Sequence, residues 1–167
     1  MTDITAEQLD SASETGFRGA DYNSVASIAR LEDVRLLHLA SDIKPTDSSE
    51  PLSLSYGREL LSCDHDEETS SAAAIFRFFV KARAGRKVVV KIEADYAVIY
   101  DVGESAHANA ARAFVNNVGL FAAYPYFRAL AAQISWNAGM RLPPLPTIAS
   151  TAYKSALAVP NASGESS

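Results

Sequence analysis

Cysteine and histidine stand two residues apart at Cys63 and His65, with Asp64 and Asp66 alongside them. The spacing suits two metal ligands, but structural zinc takes four protein ligands and catalytic zinc three. His38 and His107, the other two histidines, lie on different segments. The pair therefore predicts a solvated acidic turn and no metal. Cys63 is the sole cysteine, so no internal disulfide forms, and a lone cysteine behaves as a small buried hydrophobe more often than as a nucleophile. Serines abound, but none sits in a GxSxG turn. Neither GxGxxG nor GxxxxGK[ST] occurs, so no phosphate-cradling loop is expected. The run Lys81, Arg83, Arg86, Lys87 offers contact to an anionic partner, and equally reads as a solvated turn that blunts a sheet edge. Asn161-Ala162-Ser163 matches a glycosylation acceptor by chance. No catalytic constellation stands out, and no cofactor is expected.

Apolar surface is what the sequence supplies instead. Ser105 to Gly139 is an Ala- and aromatic-rich run in which Leu120, Tyr124, Phe127, Ala131, Ile134 and Ala138 recur at helical spacing. Ala122, Ala129, Ala132 and Gln133 form a second neutral face, so the helix has more than one surface to bury. That face is expected to pack between copies in an oligomer. Pro125 lacks the N–H for the carbonyl of Phe121. With Gly119 it predicts a kink or break near 119–125, giving a short helix over 105–118 that runs into a longer one over 120–138. Gly139 is expected to stop the helix with positive φ.

The strip Arg141 to Ile148 follows, with three prolines and Leu142, Leu145 and Ile148 at three-residue spacing. Proline-held backbone has little entropy left to lose, so its side chains can be held ready for a partner. The same pattern also fits a linker pinned to the core. Tyr124, Tyr126, Trp136, Leu142, Leu145 and Ile148 are the candidate binding residues. Trp136 reads equally as groove or core.

Ahead of this run the pattern predicts a helix over 21–30 capped by Asp21, then four strands. In the first, Val34, Leu36, His38 and Ala40 share a face, opposite Arg35, Leu37, Leu39 and Ser41. Gly57 predicts a bulge or bend in the second. Ala72 to Arg83 and Val88 to Tyr100 alternate cleanly, with Phe76, Phe78, Val80, Val90, Ile92 and Val98 on the apolar side. Strands joined by polar turns and then helices imply an α+β fold: a four-stranded antiparallel sheet with the long helix on its apolar face. Ile75, Phe79, Val89, Ala97 and Ile99 fall on the opposite face, which therefore reads as a binding or self-association surface.

A chain of 167 residues, 48% hydrophobic and 21% charged, is one domain with a real core. Residues 1–20 read as a disordered acidic start, 21–158 as the domain and 159–167 as a disordered tail, with a weak second helix over 151–158. A net charge of −5 argues against a general nucleic-acid binder. No signal sequence or apolar run of membrane-spanning length occurs, which predicts a cytoplasmic protein.

The segment NNVGLFAAYPYFRALAAQISWNAGMRLPPLPTI resembles the signature of the SecB export chaperones. Ile99-Tyr100, Tyr124-Pro125-Tyr126, Arg128, Gly139 and the apolar Pro-containing stretch 142–148 follow in the family's order. The stretch YNSVASIARLEDVRLLHLASDI is similar to the SecB-like chaperones that accompany toxin–antitoxin systems, with a helix before the first strand. The resemblance implies a homotetramer, built as a dimer of dimers, and an ATP-independent holdase without a cofactor. Such a protein holds unfolded clients in apolar grooves near the helix-connecting loop. In export systems it hands them to the SecA motor; in the other branch its partner is an antitoxin. SecA docks on an acidic turn, whereas the corresponding turn here, KARAGRK, is basic, which counts against SecA. The competing classes are an enzyme on an antiparallel α+β scaffold, such as a hotdog-like thioesterase, and a plain oligomeric structural protein. In the hotdog fold the long helix comes early, whereas here the strong strands precede it.

Overall fold

The computed structural model describes residues 18–45, 51–140 and 142–148. The proposed helix over 151–158, the tail and most of the acidic start lie outside them. Helix α1 (Gly19–Ile28) leads into strands β1 (Arg30–Ile43), β2 (Leu52–Asp66), β3 (Ser71–Ala84) and β4 (Lys87–Asp101), and helix α2 (Ala108–Asn137) follows. The four strands make one antiparallel sheet in the order β1-β4-β3-β2. This is the α+β arrangement expected, with every strand preceding the long helix.

The strand order adds what local patterning does not carry. Strands β2, β3 and β4 are joined in succession, while β1 lies beside β4, a Greek-key return that puts β1 and β2 on opposite edges. Two bulges in β1, at Leu31/Asp33 and Leu36/His38, correct the strict alternation expected there. Cross-strand partners share a face, so Val34, Leu36, Leu39 and Ile43 lie with Val98, Tyr96, Ala94 and Val90 on the helix side. Arg35, His38 and Ala40 lie opposite. Each extra residue flips every later side chain, which is how Leu39 rejoins Leu36.

Gly57 is likewise not the bulge; that falls at Leu60/Ser62. Gly57 pairs with Phe79, whose ring occupies the space a side chain would need: a Cβ on Gly57 would stand 2.5 Å from the ring. The β3–β4 turn does use Gly85 at φ 55°, as expected.

Helix α1 begins two residues before the expected start. Arg18 is its N-cap, and Asp21 at the third helical position accepts a hydrogen bond from the Arg18 backbone N–H at 2.9 Å. The carboxylate reaches back to an orphan donor at the positive end of the helix instead of acting as the N-cap itself.

Helix α2 is one continuous element of 30 residues, about 45 Å at roughly 1.5 Å per residue. It passes through both Gly119 and Pro125 without the break expected between them. Packing overrides the local cost. Gly119 is buried, and a Cβ there would stand 3.2 Å from Phe76 and 3.6 Å from Val98, so the small residue brings the helix down onto β3 and β4. Pro125 faces outward. Phe78 anchors the interface, its ring 5.4 Å from Phe127, 5.8 Å from Tyr124 and 6.2 Å from Tyr96. Burial of a side chain such as Phe127 stabilises by about 1.5–3 kcal/mol. The helix ends as expected at Gly139, φ 72°. The Gly139 N–H donates to the Trp136 carbonyl and Met140 N–H to the Ser135 carbonyl, the paired bonds of a Schellman motif.

Candidate functional site

The strip 142–148 lies against α2 and is fastened there from both sides of the chemistry. The Tyr124 hydroxyl donates to the Pro146 carbonyl at 2.7 Å, and Leu145 is buried at 5% exposure. Burial pushes the Tyr124 phenol above its ordinary pKa; Tyr56 adds to this and the Arg128 guanidinium opposes it. Prolines hold the strip extended and remove N–H groups that would otherwise need acceptors. Between strip and helix runs a cleft of about 330 Å³, lined by Pro125, Arg128, Ala129, Ala131, Ala132, Leu142, Pro143, Pro144 and Leu145. Small side chains on the helix make the room: alanine at 129 and 132 leaves a trough where leucine would fill it. Arg128 supplies the one charge among the lining residues.

The residues expected to bind a partner divide in the structure. Tyr126 and Trp136 are 55% and 71% exposed, and Leu142 and Ile148 are half-buried. Tyr124 and Leu145 are buried in the chain's own core. Trp136 therefore faces away from that core. Among the residues assigned to a copy–copy face, Ala129, Ala132 and Gln133 are exposed and Ala122 is half-buried. Ala129 and Ala132 also form the cleft wall opposite Leu142, so the two proposed surfaces meet in one trough.

Further exposed apolar groups extend the surface beyond the helix and strip. On the helix-side face of the sheet, α2 packs chiefly on β3, β4 and β2. Leu31, Leu36 and Leu39 of β1, on that same face, remain 42–48% exposed. Tyr56 and Leu60 of β2 do likewise at 50% and 41%. Sequence reasoning missed these edge residues: in β1 a bulge hides that Leu39 joins Leu36, and in β2 the alternation gives the face but not how far α2 leaves the edge strand uncovered. The Leu-Leu-His-Leu run at 36–39 was the available signal. The outer face carries Ile75, Phe79, Ala97 and Ile99 half-buried and a central Arg77–Asp95 ion pair; Val89, expected there, is buried at a bulge in β4 that pairs Val88 with Arg83 instead.

Cys63 and His65 share the helix-side face of β2, opposite Ala74 and Ala72. The Cys63 thiol donates to the Arg112 carbonyl at 3.3 Å, and burial raises its pKa, with Asp64 adding and Arg112 opposing. Such a thiol is a poor nucleophile. Among the described residues no three His, Cys, Asp or Glu side chains gather as metal ligands. No described helix is long and apolar enough to cross a membrane.

The open four-stranded antiparallel sheet with one long and one short helix is a SecB-like α+β fold. One solved structure it resembles is the Mycobacterium tuberculosis Rv1957 SecB-like chaperone, in complex with a ChAD peptide from the Rv1956 HigA1 antitoxin. The two superpose with a TM-score of 0.69 over 78% of this chain and 97% of that one, at 18% identity. No protein-family model and no curated protein matches the sequence.

Proposed function

We propose that this chain is an ATP-independent holdase that binds non-native or partly folded polypeptide along the α2–strip cleft and the exposed apolar groups around it. The observation that carries the reading is the cleft itself. Apolar walls, a proline-braced rim and the exposed Trp136 and Tyr126 stand on the fold of a chaperone solved with a peptide bound. Such a surface binds by burying apolar area, about 25 cal/mol per Å², and is tolerant of sequence because burial is non-directional. No bond is made or broken, so no nucleophile, metal or cofactor is required.

An antitoxin-like client is favoured over delivery to SecA, because the β3–β4 turn holds Arg83, Arg86 and Lys87 where an acidic docking turn is expected. The working form is a cytoplasmic homo-oligomer, a tetramer, whose copies meet over Ala122 and Gln133, leaving Ala129 and Ala132, expected on the same seam, to the wall of the client cleft.

The test is suppression of aggregation. Purified chain in stoichiometric excess should slow light scattering from an unfolding client without nucleotide, and Trp136→Asp or Leu142→Asp should weaken that protection while leaving the fold intact. A nucleotide requirement, or no protection at all, would overturn the reading.

A further inference from the structure

Arg128 stands half-buried in the cleft wall, and no carboxylate among the described residues pairs with it. Its neighbours along the cleft are Pro125, Ala129, Leu142, Pro143 and Pro144, which offer no side-chain donor or acceptor. The nearby Tyr124 hydroxyl is already committed to the Pro146 carbonyl. A guanidinium between low-dielectric walls keeps more of its field than one in open water, and its planar fork matches a carboxylate with two parallel hydrogen bonds. Cationic segments meet the reverse: a like charge in the trough and no acid among its described lining residues to offset it. At about 330 Å³ the cleft is at the low end of the 300–1,000 Å³ typical of ligand pockets, room for an apolar anchor of one or two side chains.

We infer that this cleft selects extended polypeptide segments in which an acidic residue flanks an apolar anchor, with Arg128 holding the acid and the strip covering the anchor. The inference rests on the chaperone reading above and adds a charge preference that apolar burial alone does not supply.

The experiment uses the full chain and three labelled peptides of one length. Each carries Leu-Phe-Leu followed by two aspartates, two asparagines or two lysines, and binding is read by fluorescence anisotropy. The wild type should bind the aspartate peptide roughly tenfold more tightly than the lysine peptide, the increment of one charge-assisted pair. Arg128→Gln should level the series and Arg128→Glu should invert it. Arg128→Gln, which keeps length and polarity, carries the test if Arg128→Glu fails to fold by circular dichroism.

An aspartate preference that survives unchanged in the variants, or its absence from the wild type, overturns the charge selection and leaves the chaperone reading standing. Binding of none of the three peptides overturns both. A changed sedimentation mass for Arg128→Glu with an unchanged peptide order assigns the cleft to contact between copies and also overturns the selection.

Discussion

The Tyr124 hydroxyl, on the buried face of α2, donates to the Pro146 carbonyl at 2.7 Å and ties the strip to the helix across 22 residues of chain. Tyr124→Phe keeps the ring against Phe78 and removes only that bond, leaving the Pro146 carbonyl without its partner. The expected loss is about 1 kcal/mol of stability, measured by denaturant titration, with faster proteolysis of the strip. The pH dependence has a definite sign. The folded phenol's pKa is raised, so its contribution is complete below the unfolded value near 10 and fades as pH rises through the folded value. The wild-type advantage over Tyr124→Phe should therefore vanish at strongly alkaline pH.

Asp95 shows the opposite sign. On the outer face, Arg77 grips it with a fork, Nε to Oδ1 at 2.8 Å and Nη2 to Oδ2 at 2.9 Å, and Asp95 is 7% exposed. The Arg77 hydrogen bonds hold the Asp95 carboxyl below the usual range, against the effect of burial. Its contribution is complete above the unfolded carboxyl value near 4 and is lost as pH falls through the folded value. Asp95→Asn should lower Tm by several degrees at neutral pH, and thermal melts should show that gap closing as the solution is made more acid than about pH 4.

Two helix positions should respond in opposite directions. Gly119 faces Phe76 and Val98, so Gly119→Leu overpacks the α2–sheet interface and should cost about 1–3 kcal/mol. Pro125 is exposed in the middle of α2 and removes one helical hydrogen bond. Pro125→Ala should stabilise the chain by about 1–2 kcal/mol, the helix gain of up to about 3 less the extra freedom given to the unfolded chain. Chemical denaturation of the two variants beside wild type checks both signs.

Trp136 is the only tryptophan and is 71% exposed on α2, four residues beyond the cleft-lining Ala132, so it reports on apolar surface outside the cleft lining. Client addition should shift its emission to the blue as the indole leaves water, with no such shift for a folded control protein. An unshifted emission during full protection from aggregation would place the client away from Trp136.

The sequence by itself determined the first helix, the four strands, the apolar sheet face and the helix stop. These follow from periods of two and 3.6 and from the special backbone of glycine, all properties of a few neighbouring residues. Phe76, Phe78, Val90 and Ile92 were readable as core because β3 and β4 alternate almost without interruption. Only the tertiary structure decided that β1 lies beside β4, that Leu39 joins Leu36 across a bulge, and that α2 runs unbroken through Gly119 and Pro125. Those outcomes depend on pairing and packing between residues far apart in the chain, where a long-range contact outweighs a local preference. The same holds for the trough. Tyr124 and Leu145 look like display residues in a list of apolar spacings, yet they are buried. Ala129, Leu142 and Arg128 become one surface only when the strip folds back onto the helix that precedes it.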